Sequence, residues 1–75
     1  MSQLSEQIVT LSTSYFGPAA NKFLERQTTA HMNGLTLEQI TSSHLAELAK
    51  WVEISGALLI DKAQAAELAG KIKSL

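Results

Sequence analysis

The chain is poor in the residues that stabilise a small fold by covalent bonds or metal ions. It has no cysteine, which excludes disulfides, and its two histidines cannot alone supply a structural zinc site of the usual kind. Charged residues make up only 17% of the 75 residues, against about 25% in a typical globular domain. Because small domains without staples often oligomerise, we expect a homo-oligomer, most simply a homodimer.

The charge balance disfavours nucleic acid as a partner, and the short apolar runs disfavour a membrane. Six basic and seven acidic residues give a net charge of −1, so no long-range field attracts nucleic acid or anionic lipid. The longest apolar run, residues 57–60, is too short to span a membrane, and residues 1–6 lack the basic and apolar regions of a secretory signal. We therefore expect a cytoplasmic protein that does not bind membranes.

The sequence contains no recognisable catalytic or cofactor-binding motif. The serines and threonines lie outside any Gly-x-Ser-x-Gly elbow, and the four glycines are scattered singly rather than grouped in a phosphate-binding loop. His44 and Glu47 share a helix face, but one such pair is too few ligands for a metal site. His31 is expected to interact with carbonyls at the end of a helix. We predict no catalytic residue, cofactor, metal or small-molecule substrate, and hence no enzyme.

Helical periodicity dominates what is present. From residue 45 to residue 75 the apolar residues recur every three or four positions, which is typical of α-helices that bury one face. The last helix shows the stripe clearly, at Ala65, Leu68, Ala69, Ile72 and Leu75. Along residues 3–14 the same spacing is expected to turn Leu4, Ile8, Leu11 and Tyr15 toward one side.

Helix boundaries are marked by capping residues. Thr36 with Gln39 has the pattern of a capping box, and Thr41 and Asp61 are expected to cap the two helices that follow. Pro18 is suited to the first position of a helix, and Gly34 to the left-handed residue that ends one. These signals predict a single all-α domain, residues 1–75, with four helices and one connecting turn of helix in an orthogonal or bundle-like arrangement. The predicted helices cover residues 3–14, 18–32, 37–40 (the turn), 42–58 and 62–74.

The third and fourth helices are expected to form an antiparallel hairpin on which the second packs, with the first more loosely attached. The segment 54–60 leaves two alternatives open, because glycine inside a helix costs about 0.5–1 kcal/mol relative to alanine. An apolar run can be a buried strand or a helix. We favour a helix that continues past Gly56, where the absence of a side chain would let another helix approach closely.

A subunit interface is predicted near the end of the third helix. Trp51 is the only tryptophan, and large aromatic residues are frequent anchors of interfaces. An equally weighted interpretation places Trp51 in a wide core face beneath two neighbouring helices. The predicted interface residues are Trp51, Ile54, Gly56, Leu58 and Leu59.

One short motif is similar to a known class of module. Residues 15–20, Tyr-Phe-Gly-Pro-Ala-Ala, open a helix that continues with Phe23 and Leu24. This start resembles that of small helical modules attached to kinases and response regulators in prokaryotic signalling proteins. The resemblance extends loosely over residues 15–75. It implies a protein-interaction role in a stand-alone relative, with no catalytic residue to carry over.

These observations predict a small, non-catalytic interaction or regulatory protein that self-associates through apolar helix faces. The alternative is a nucleic-acid-binding regulator of the helix-turn-helix kind, with residues 36–53 as the motif. That segment offers Lys50 against Glu47 and Glu53, whereas a recognition helix needs basic and amide side chains. The only arginine of the chain, Arg26, lies outside it.

Truncation of the predicted core leucines should destabilise the fold. We expect Leu48→Ala and Leu68→Ala each to lower the free energy of unfolding by about 2–5 kcal/mol, as is usual when a buried leucine is removed. Urea denaturation followed by circular dichroism measures the change. Unfolding midpoints equal to that of the wild type would contradict both core assignments.

Overall fold

The computed structural model describes residues 3–75, and all regular structure in that range is helical. The four α-helical segments are α1 (Gln3–Phe16), α2 (Ala20–His31), α3 (Leu45–Gly56) and α4 (Lys62–Lys73). Single 3₁₀ turns occupy Gly17–Ala19, Leu37–Gln39 and Ser42–His44. The prediction of an all-α protein is confirmed.

The structure does not show the four separate helices that the sequence predicts. The 3₁₀ turn Gly17–Ala19 joins α1 directly to α2, so residues 3–31 are one helical run with a bend. Gly17 allows the bend because its φ is +62°, a value that other residues rarely adopt. Within residues 3–75 there are therefore three long helical runs, 3–31, 42–56 and 62–73. Pro18 lies in the 3₁₀ turn, and α2 proper begins at Ala20.

The predicted caps of the connecting segment are observed. Thr36 and Gln39 form a reciprocal capping box, in which the Thr36 backbone N–H donates to Gln39 Oε1 over 2.9 Å. Thr41 forms a second box with His44, whose Nδ1 accepts from the Thr41 backbone N–H over 3.0 Å. Asp61 caps α4 by accepting from the Ala63 backbone N–H. These boxes close 3₁₀ turns, so α3 starts at Leu45 rather than at residue 42.

The helix predicted to run to residue 58 ends at Gly56. The backbone N–H groups of Leu59 and Ile60 both donate to the Gly56 carbonyl, at 2.9 and 2.8 Å, and residues 57–60 form tight turns. Neither a continued α-helix nor a strand is found there.

The core lies between α3, α4 and the inner faces of α1 and α2. Leu48 and Leu68 have no exposed surface, as predicted, and the α4 stripe is buried apart from Leu75, which is 40% exposed. The remaining fully buried large apolar side chains come from all four helices: Ile8, Leu24, Val52 and Ile72.

The first helix packs differently from the expectation. It contacts both α2 and α4, so it is an integral part of the core. Its buried face consists of Ser5, Ile8 and Ser12, whereas the predicted Leu4 and Leu11 are only half-buried. Serine side chains are small enough to let neighbouring helices approach α1 closely. Ser12 Oγ is buried without a hydrogen-bond partner in the described part of the chain.

Neighbouring elements approach closely at Gly56. A Cβ atom added there would lie 3.3 Å from Phe16 Cζ and 3.4 Å from Ala65 Cβ. Phe16 stacks on Phe23, with ring centroids 4.2 Å apart and an interplanar angle of 21°. Gly56 is therefore the point where α3 meets the α1–α2 bend and the first turn of α4.

Two glycines, one buried at the end of α3 and one exposed inside α4, should respond in opposite directions to enlargement. Gly56→Val should lower the free energy of unfolding by about 1–3 kcal/mol, because its methyl groups overpack the contact with Phe16 and Ala65. Gly70→Ala should raise it by about 0.5–1 kcal/mol, because alanine favours the helix and nothing lies within 4 Å of the added Cβ. Chemical denaturation of both variants checks the pair. A Gly56→Val protein as stable as the wild type would show that the predicted contact is absent.

Candidate interaction surface

Two adjacent leucines protrude from the turn that follows α3. Leu58 is 85% exposed and Leu59 is 66% exposed. The turn that closes on the Gly56 carbonyl leaves Ile60 half-buried and directs the leucines outward before Asp61 starts α4. Exposed leucines are common singly, but a contiguous apolar patch indicates an interaction site.

A groove of about 280 Å³ lies beside these leucines, between α2 and the end of α3. Its polar floor is satisfied internally, because Ser55 Oγ donates to Gln27 Oε1 over 2.8 Å and Gln27 Nε2 donates to the Phe23 carbonyl. We call the two leucines and this groove the leucine corner. Its residues are Phe23, Arg26, Gln27, Ala30, His31, Ser55, Leu58 and Leu59.

Trp51 adjoins the leucine corner through His31. The two rings are stacked, with centroids 4.0 Å apart and an interplanar angle of 8°. The Lys50 Nζ atom lies 5.2 Å from the Trp51 ring centroid, within cation–π range. Trp51 is half-buried, and its Nε1 atom is buried with no hydrogen-bond partner among the described residues. The ring therefore packs within the subunit and still retains exposed surface.

The five predicted interface residues do not share one surface. Trp51, Leu58 and Leu59 lie in or beside the leucine corner, whereas Ile54, which is 50% exposed, faces a different groove. Gly56 is buried against Phe16 and α4 of its own chain, and its role in a subunit interface stays a prediction. The close helix approach expected there is made within the chain.

Sequence reasoning missed the contribution of α2 to the leucine corner. The helical spacing that buries Phe23 and Gln27 predicts Ala30 or His31 on the same buried face of α2, and both are exposed. The spacing in the sequence could have indicated this contribution, because Phe23 and Ala30 are seven residues apart and share a face of the helix. This face of α2 lines a groove only because the end of α3 lies beside it in the tertiary structure.

The second groove lies between α3 and α4 and has a volume of about 600 Å³. We call it the α3–α4 groove. Its floor and rim include Ile54, Glu53 and three lysines, Lys50, Lys62 and Lys73. The rest of its lining is small side chains: Ala46, Ala49, Ala57, Ala66, Ala69 and Gly70.

Both histidines make structural contacts. His44 Nδ1 is occupied by the Thr41 backbone N–H, and His31 stacks on Trp51 rather than contacting helix-end carbonyls as expected. Within residues 3–75, no three histidine, aspartate or glutamate side chains converge in a way that could hold a metal ion.

A titratable cluster fastens α1 to α4. The Tyr15 hydroxyl donates to Glu67 Oε1 over 2.5 Å, and Lys71 Nζ lies 5.2 Å from the Tyr15 ring centroid. Hydrogen bonding with Tyr15 raises the pKa of Lys71 above its usual 10.5, with smaller contributions from the charges of Tyr15 and Glu67. The hydrogen bond between Tyr15 and Glu67 joins α1 to α4.

Comparison of the chain with protein family models, with curated proteins and with solved structures found no match. Across residues 3–75, no helix combines the length and the apolar character needed to cross a membrane.

Removal of the His31 ring should expose Trp51 to water. We expect His31→Ala to shift the tryptophan emission to longer wavelength and to lower the free energy of unfolding by about 0.5–1.5 kcal/mol, the value of an aromatic pair. Trp51 is the only tryptophan, so the emission reports on this site alone. His31→Phe is the matched control, because it preserves a stacked ring. Unchanged emission in His31→Ala would argue against the stack.

Proposed function

We propose that the protein is a small, non-catalytic interaction module that binds a second copy of itself through the leucine corner. The observation that carries the proposal is the pair Leu58 and Leu59, 85% and 66% exposed, beside a groove on the same surface. Full burial of a leucine side chain contributes about 1.5–3 kcal/mol. Two leucines per subunit therefore supply a substantial part of the driving force for a dimer.

The arrangement of the leucine corner favours a second copy over an unrelated partner. A two-fold dimer uses the same surface on both subunits, so that surface must be complementary to itself. A protrusion next to a cavity meets this requirement, because each subunit can insert Leu58 into the groove of the other. His31 lines the same groove and offers aromatic surface to the contact, and Trp51 stacks on it.

The structural roles of both histidines support a function without catalysis. His44 closes a capping box, in which its Nδ1 atom accepts from the Thr41 backbone N–H and lies 3.2 Å from the Thr41 hydroxyl, and His31 stacks on an indole, so both side chains are engaged in local structural contacts. The resemblance to signalling modules, the cytoplasmic location and the alternative of nucleic-acid binding stay predictions.

Replacement of the protruding leucines should prevent self-association. We expect the wild type to change from monomer to dimer between about 1 µM and about 1 mM, and the double variant Leu58→Ser, Leu59→Ser to stay monomeric in sedimentation equilibrium. Because both side chains are exposed in the subunit, its helix content should equal that of the wild type.

The control is Leu75→Ser, which removes an exposed leucine outside the leucine corner. It should dimerise like the wild type. A wild-type protein that is strictly monomeric over the whole concentration range would refute self-association. Dimerisation of the double variant would place the interface elsewhere.

A further inference from the structure

The α3–α4 groove is a second apolar surface, separate from the leucine corner. The connection between the helices is only five residues, 57–61, and the two helices pack along their lengths, so they run antiparallel. The groove includes Lys62 in the first turn of α4 and Lys73 in the last. They are eleven positions apart on the helix, which corresponds to about 16 Å, or three turns.

The shape of the groove suits a helix. Six alanine and glycine residues make its floor, so the backbone of an incoming segment can approach both helices closely. At its wall Ile54 is half-exposed and offers an apolar contact. A helix laid into an apolar groove is a recurrent mode of peptide recognition, with anchors at every third or fourth position.

The charge around the groove is opposite in sign to that of the whole chain. Three lysines and one glutamate line it, a local balance of +2, whereas the chain carries −1. Within the described part of the chain, Lys62 and Lys73 form no ion pair. These two lysines are therefore available to carboxylates of a partner.

These charges disfavour a second copy as the occupant. A two-fold contact of this groove with itself would bring six lysines together, which costs free energy through repulsion of like charges. The alanine and glycine residues of the groove also offer no side-chain hydrogen bonds to base edges, in contrast to a sequence-specific nucleic-acid site.

We propose that the α3–α4 groove binds an amphipathic helix of a partner protein, about three turns long, whose apolar face contacts the alanine floor and whose flanks carry glutamate or aspartate. Lys62 and Lys73 would pair with acidic residues near the two ends of that helix, and Lys50 with one near its middle. This proposal does not depend on the leucine corner.

The test uses two labelled synthetic peptides of about 14 residues and the full chain. Both have leucine and alanine on one face; one has glutamate on its flanks, and the other has lysine at the same positions. Fluorescence anisotropy should show saturable binding of the acidic peptide, at least about tenfold tighter than binding of the basic one and weakened by added salt.

Three variants locate the binding. Gly70→Leu fills the groove at a position where a Cβ meets nothing within 4 Å, and it should weaken acidic-peptide binding at least about tenfold. The double variant Lys62→Glu, Lys73→Glu should lose the acidic peptide and gain the basic one, and it keeps the test valid if Gly70→Leu does not fold. Lys22→Glu, an exposed charge on α2 outside the groove, is the matched control and should bind as the wild type does.

Absence of saturable binding up to about 1 mM peptide, or equal binding of both peptides, would overturn the proposal. The proposal would also be overturned if a random-sequence oligonucleotide displaced the acidic peptide and the lysine double variant bound neither of them. The site would then recognise phosphates. The Leu58→Ser, Leu59→Ser protein should bind the acidic peptide normally, so failure of the leucine-corner dimer leaves this result unaffected.

Discussion

The contact at Gly56 is the constraint on which the arrangement of the helices depends. Phe16 and Ala65 approach this glycine so closely that a Cβ atom would lie within 3.4 Å of each. Phe16 reaches that position because the left-handed backbone of Gly17 turns α2 back beside α1 and stacks Phe16 on Phe23. One side-chain-free position therefore brings together the α1–α2 bend, the end of α3 and the start of α4.

The same contact determines where the leucine corner and the α3–α4 groove lie. Since α3 ends at Gly56, the next residues turn sharply, and Leu58 and Leu59 project into solvent beside α2. Since α4 then returns along α3, the small residues of both helices line the outer α3–α4 groove with lysines along it. The first surface combines the exposed leucines Leu58 and Leu59 with an adjacent groove. The second is positively charged, which favours an acidic partner.

Local signals in the sequence predicted much of the helical structure. The capping boxes at Thr36 and Thr41 and the cap at Asp61 involve residues two or three positions apart, so they could be identified without knowledge of the fold. The buried stripe of α4 follows from the period of the helix. By contrast, the buried face of α1 contains the polar residues Ser5 and Ser12, which hydropathy would place on the surface. It is determined by how closely α2 and α4 approach.

The candidate surfaces were predictable only in part. The sequence by itself determined the helical class, the starts of the helices and an apolar surplus near residues 54–60, because these depend on neighbours within about one helical turn. Only the tertiary structure decided that Gly56 is covered, that Leu58 and Leu59 are exposed, and that Ile54 belongs to another groove. Those outcomes depend on contacts with Phe16, Ala65 and α2, which are distant in the chain. Such contacts produce no periodic pattern in the sequence.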